Sequence, residues 1–209
     1  MAQLVFILGE SGSGKSTSLR NLTAKDVNVV SVTGKDLPLK TDITVYHPKG
    51  GYPDVIKAIH SAKAPIVVID DANYLMSLFE FATINEQGYG KFARNALGMV
   101  QVFNAIIEKE SDQIFYVMAH SEQSEDGKLR FKTTGKMVSE KYNPAGVTNI
   151  VVEAAYDDEA EEFVFKTKAD GRGIKTPLGM FDTNTIPNDL KQLDNAIREY
   201  RKPANKETK

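Results

Sequence analysis

Residues 4–22 read LVFILGESGSGKSTSLRNL, and no other stretch restricts the fold as strongly. Residues 4–8 are apolar without alternation, which fits a strand covered on both faces, as in the middle of a parallel sheet. Directly behind them, Gly9-Glu10-Ser11-Gly12-Ser13-Gly14-Lys15-Ser16 has the spacing G-x-x-x-x-G-K-[ST], between a strand and a helix-like continuation. Glycines let successive backbone N–H groups turn toward one anion, and a helix start behind them adds partial positive charge. The stretch Gly9, Glu10, Ser11, Gly12, Ser13, Gly14, Lys15, Ser16 and Thr17 therefore reads as a phosphate cradle. Lys15 is expected to reach the β and γ phosphates, Ser16 to give its oxygen to Mg²⁺, and Thr17 to touch the α phosphate. A plain Gly/Ser turn would explain the composition but not the fixed spacing.

The remaining patterns extend this start into an alternating α/β chain. Strands are expected at residues 3–8, 27–32, 64–70 and 113–119, with a short extended piece at 43–46. Helices are expected at 15–22, 53–61, 73–81, 89–109 and 188–200. The long one carries Phe92, Ala96, Met99, Val100, Phe103 and Ile107 on one face. Residues 128–133 alternate like a β-ribbon arm, and 150–154 and 162–168 read as late antiparallel strands. Strands that alternate with helices before residue 120 imply a mainly parallel sheet flanked by helices, with chemistry at the carboxyl ends of the strands.

Length and composition fit one domain over residues 1–201 with a flexible tail at 202–209. With 41% hydrophobic and 26% charged residues among 209, the chain is neither disordered nor fibrous. No cysteine is present, which excludes disulfides and thiolate metal sites. No signal pattern is seen, so the expected location is the cytoplasm. No apolar run approaches the roughly 18 residues of a membrane span. The formal net charge of −2 confines any nucleic-acid contact to local patches.

A triphosphate site needs an acid for its metal, and PIVVIDD offers two at a strand end. Asp70 is the expected Mg²⁺ partner, through water. Asp71 either polarises the attacking water or caps the next helix, and Glu10 competes for the first role. The following strand ends in MAHSE. Where an extra strand separates the phosphate-loop strand from the acid-bearing strand, a polar residue at its tip senses the γ phosphate, and His120 fits that position.

Taken together, LGESGSGKSTSLRNL, VVIDDANYLM, VMAHSE followed by TTGKMVSEK, and KTPLGMFDTNTIPNDL resemble the phage-encoded P-loop nucleotide-binding proteins of the AAA/RecA-like superfamily. The resemblance spans nearly the whole chain. It implies a RecA-like core, ATP with Mg²⁺, and a role in phage DNA metabolism within the host cytoplasm. Some relatives are Sak-type proteins that bind single-stranded DNA and assist annealing or recombination.

RecA-like ATPases often complete their site with a cation from a neighbouring subunit, so a homo-oligomer is expected. Lys168 and Arg172 in the late basic segment are the candidate cations, against a plain hairpin turn at ADGRG. For single-stranded DNA the candidate ribbon is Lys128, Arg130 and Lys132 with Phe131 stacking on a base. A charged, protected edge strand would look the same. A small-molecule kinase lacks an arginine-rich lid here, since the arginines are scattered. A nucleotide switch with little hydrolysis remains a third class. No N/T-K-x-D element is present, which favours ATP over GTP.

Overall fold

The continuous apolar runs become the centre of one sheet, because strands buried on both faces need apolar side chains at every position. The structure, a computed structural model, describes residues 1–168, 171 and 173–202. Nine strands are found among the described residues. They are β1 (Gln3–Gly9), β2 (Val27–Ser31), β3 (Val45–Tyr46), β4 (Ile66–Asp70), β5 (Ile114–Gln123), β6 (Leu129–Phe131), β7 (Val151–Asp157), β8 (Glu162–Lys166) and β9 (Thr185–Pro187). Their order is β3-β2-β4-β5-β1-β7-β8-β9, and β6 pairs with the far end of β5. Strands β3 to β7 along this order run parallel, whereas β8 runs antiparallel to β7 and β9 antiparallel to β8. The fold is thus α/β, with a mostly parallel mixed sheet flanked by helices.

Period-2 alternation splits the core into two layers. Leu4, Phe6 and Leu8 of β1 pack on one face beneath α1 (Tyr52–Ser61), α2 (Tyr74–Ala82) and α3 (Gly90–Ile107). Val5 and Ile7 point the other way, beneath α4 (Leu190–Tyr200) and the short helix Ser16–Asn21, which contributes Leu19. A buried hydrogen bond pins α4 to the sheet. The Tyr116 hydroxyl donates to Asp194 Oδ1 at 2.9 Å, and Arg198 Nε donates to the other carboxylate oxygen at 2.6 Å. Among the described residues no helix is long and apolar enough to cross a membrane.

Several elements depart from the sequence expectation. The helix expected at 15–22 is a six-residue 3₁₀ helix, Ser16–Asn21, closed by an i→i+3 bond from Leu22 N to Leu19 O at 2.9 Å. That tighter turn drops Leu19 and Leu22 into the core before the chain enters β2. The strand expected at 150–154 is antiparallel only to β8; against β1 it runs parallel, with Phe6 opposite Val151. In α3 the buried face starts at Asn95 and Ala96, and Phe92 is 46% exposed instead of facing the core. Asn95 replaces it as the inward anchor: its amide accepts from the Tyr52 hydroxyl at 2.6 Å and donates to Met76 O at 3.1 Å. β5 runs four residues beyond its expected end, which carries His120 inside the strand.

The order of the strands positions the site. β5 lies between β4 and β1, Gly9 is level with His120, and Ser31 is level with Asp70. The ends of β1, β4 and β5 therefore meet over one stretch of the sheet's carboxyl edge.

Candidate functional site

The loop after β1 is shaped by close approaches that leave no space for side chains. A methyl on Gly9 would lie 2.4 Å from Ala154 O and 2.5 Å from Ser13 Oγ, so the first turn of the loop can rest on β7 only as glycine. Gly14 has φ of +87°, in the left-handed region, and the ring of Phe163 packs against it. Inside the loop Lys15 is 6% exposed. Its ammonium donates to Gly9 O at 2.8 Å, to Glu10 O at 2.7 Å and to Ser13 Oγ at 3.4 Å. Burial pulls its pKa down, while Asp70, Asp71 and Glu10 pull it back up. Neutral oxygens thus hold a buried cation, and an anion in the loop would offer it stronger, charge-assisted bonds.

Ser16 Oγ donates to Asp70 Oδ2 at 2.7 Å, which ties the start of the short helix to the end of β4. Burial raises the Asp70 pKa, opposed by this hydrogen bond and by the Asp71 N–H bonded to its other oxygen at 3.0 Å. The two oxygens are hard donors of the kind Mg²⁺ takes in phosphate sites, so the pair fits that ion.

Asp71 has φ of +58°, an uncommon conformation for a residue with a side chain. It does not cap α2, which starts after Asn73 with no side-chain cap. Its carboxylate instead accepts from Thr33 Oγ1 at 2.9 Å, and it lies 3.6 Å from His120 Nε2 and 3.8 Å from Lys35 Nζ. His120 is held by its own backbone: its N–H donates to Asn73 Oδ1 at 3.0 Å and its carbonyl accepts from Lys132 N at 3.0 Å. Burial lowers the His120 pKa from the usual 6.5, and the Lys15 charge adds to this against the opposing pull of Asp71.

A cavity of about 340 Å³ joins these parts, running from Lys35, Asp70, Asp71 and His120 past Ser11 through Thr17 to Phe163. No family model and no curated protein matches this chain. The site therefore rests on its own chemistry. Of the residues singled out in the sequence, Lys15, Ser16, Asp70, Asp71 and His120 come together around this cavity with residues 11–17 of the loop, whereas Glu10 lines a separate groove with Ser121 and Glu122. Thr33, Lys35, Phe163 and Asn73 were not singled out. For Thr33, Lys35 and Asn73 the one sequence signal is position, beyond the carboxyl ends of β2 and β4, where ligand contacts gather in parallel sheets; Phe163, at the amino end of antiparallel β8, carries none.

Other candidates lie elsewhere. Lys168 is exposed beyond β8 and faces a different groove, with Thr176, Pro177 and Leu178. Arg172 lies outside the described residues. On the ribbon, Phe131 is 3% exposed and packs edge-on against Phe6 and Phe103, at centroid distances of 5.7 and 5.9 Å. The expectation that it stacks on a base is therefore overturned. The reason is the alternation itself, which puts Phe131 on the face opposite Arg130 and Lys132. Lys128 Nζ pairs with Asp126 at 2.7 Å and Arg130 approaches the same carboxylate at 3.6 Å, while Lys132 is exposed. Hydrogen bonds from Lys128 and Ser124 pull the Asp126 pKa down to about 2.

Proposed function

We propose that this chain is a Mg²⁺-dependent ATPase with a RecA-like P-loop core, a phage-encoded protein that acts on single-stranded DNA in annealing or recombination. The observation that carries the reading is the meeting of Lys15, the Ser16–Asp70 pair and the Asp71–His120 pair at the ends of three adjacent parallel strands. A phosphate loop alone would support only anion binding. An acid at the β4 end bonded to the loop's hydroxyl, with a polar tip on the intervening strand, supports a triphosphate with its metal.

In this reading the backbone N–H groups of residues 11–16 and the Lys15 ammonium take the β and γ phosphates. Ser16 and Asp70 hold Mg²⁺, which when bound offsets charge on the phosphate oxygens. Asp71 is the acceptor for the proton of the attacking water, since its carboxylate faces the cavity and is fixed by Thr33. His120 orients that carboxylate and meets the terminal phosphate. Lys35 supplies a second cation from the loop after β2. Lys168 and Arg172 remain the cations proposed to act on a neighbouring subunit in a homo-oligomer.

The DNA contact is proposed for Lys128, Arg130 and Lys132 without an aromatic platform. The backbone bond from Lys132 N to His120 O supports a link between the two sites, because β6 of the ribbon pairs with β5, the strand that carries the phosphate-facing histidine.

The test is ATP hydrolysis with and without single-stranded DNA, at low and high salt, for wild type and a Lys128/Arg130/Lys132 alanine triple variant. Hydrolysis stimulated by DNA, weakened by salt and lost in the triple variant is expected. Hydrolysis indifferent to DNA at low salt would defeat the DNA role and move the reading to a kinase or a switch.

A further inference from the structure

The acids and His120 occupy one end of the cavity, and Phe163 occupies the other. Strands β4 and β8 are four places apart in the sheet, which at about 4.8 Å per place is roughly 19 Å. A terminal phosphate held by Lys15 and Ser16 near Asp70 leaves the rest of a nucleotide to pass over Gly14 and Thr17. That path leads toward Phe163.

Phe163 is 39% exposed and is the single aromatic in a cavity otherwise lined by hydroxyls, glycines, charges and one proline. Phe165, two residues on, faces the core on the α4 side, so Phe163 shares the side of β8 covered by the short helix Ser16–Asn21 and α4. Tyr156 supports it edge-on at 5.2 Å between centroids. Gly14 makes the approach possible: a methyl there would lie 3.0 Å from Phe163 Cδ1 and 3.2 Å from Asn188 Nδ2.

Asn188 is the second, independent observation. It is 2% exposed, and neither its side-chain nitrogen nor its oxygen has a hydrogen-bond partner among the described residues. Buried amides are almost always paired, and leaving one unpaired is costly. Its backbone, in contrast, is fully engaged. Asn188 N donates to Phe163 O at 3.2 Å, and Arg20 of the short helix donates to Asn188 O. The next residue, Asp189, caps α4 through Lys191 N at 2.9 Å and accepts from Asn21 Nδ2 at 2.7 Å. The unpaired amide is thus held rigidly beside the phosphate loop and behind the aromatic ring.

We infer that Phe163 forms a nucleoside subsite: the base stacks on the Phe163 ring, and Asn188, buried behind that ring, fixes its position. The inference rests on the proposal that the loop binds a nucleoside triphosphate. Stacking explains an exposed aromatic in a polar cavity.

The test compares wild type, Phe163→Ala, Phe163→Trp and Asn188→Ala by titration with Mg²⁺-ATP and, separately, with inorganic tripolyphosphate, which has the phosphates and no nucleoside. Phe163→Ala is expected to bind ATP about tenfold more weakly or worse, and tripolyphosphate as wild type does. Phe163→Trp restores ATP binding, and Asn188→Ala, which loosens the seat of the ring, weakens ATP and not tripolyphosphate. If Phe163→Ala keeps wild-type affinity for ATP, or loses both ligands in parallel, the subsite is wrong while the phosphate loop stands. A wild-type protein that takes neither ligand would remove the nucleotide reading itself, and the subsite with it.

Discussion

Around the tip of β5, the polar groups of Lys15, Ser16, Asp70 and Asp71 are tied to neighbours that are themselves buried or half-buried. Just past the end of that strand, the turn and return strand of the β5–β6 hairpin carry Asp126, Lys128 and Arg130 in solvent, joined by ion pairs at 2.7 and 3.6 Å. The first region has little freedom: its geometry follows from strand ends and from positions that accept no side chain. The second is held by its inward residues Leu129 and Phe131, while its charges sit in water where such pairs contribute little. Similar-looking polar sequence therefore marks a rigid site in one place and an adaptable surface in the other.

Substitutions that should affect only one region sharpen this contrast. The largest effect on activity is expected for Asp70→Asn, which removes the charge facing Ser16 and should lower Mg²⁺-dependent ATP hydrolysis by about two orders of magnitude. Its melting temperature should change little, because an amide can keep the Ser16 hydrogen bond. On the hairpin, Phe131→Ala is expected to destabilise the fold by about 3–5 kcal/mol in urea denaturation, as for any buried phenylalanine. A stability change near zero would return Phe131 to the surface and break the comparison.

These two residues also show how far the sequence could be read. Lys15, Ser16 and Asp70 were legible because a motif of fixed spacing follows one buried run and an acid ends another, and parallel pairing must bring such ends together. His120 was legible for the same reason. Phe131 was read correctly as part of a strand but assigned to the wrong face, although alternation with Arg130 and Lys132 already pointed it inward. Thr33, Lys35 and Phe163 were not legible, since they reach the cavity from strands far apart in sequence and no local pattern marks them. β9 was missed because three residues, Thr185–Pro187, carry no measurable period.

A smaller loss is expected at the loop itself. Gly9→Ala places a methyl against Ala154 O and Ser13 Oγ, and should cost about 1–3 kcal/mol through overpacking. Because the clash moves the loop, phosphate affinity should fall with it; a variant as stable and as active as wild type would show that the loop yields freely.

The smallest effect concerns pH. The folded His120 pKa is held below 6.5, chiefly by burial, so between its folded value and 6.5 the unfolded chain binds more protons. Stability should therefore fall as pH drops through 6.5 and level off below the folded value. Comparing urea midpoints at about pH 7.5 and about pH 5.5, His120→Gln should lose less stability than wild type. Equal losses would mean that the histidine carries no such penalty.

The central claim, that buried Lys15 waits for a triphosphate held with Mg²⁺, is tested most directly by calorimetric titration of ATP into wild type and Lys15→Ala, with and without Mg²⁺. Wild type should bind ATP more tightly with the ion than without it, and Lys15→Ala should lose about tenfold or more in affinity while keeping its fold. Equal ATP affinity in the two proteins, with the ion making no difference to either, would contradict the account.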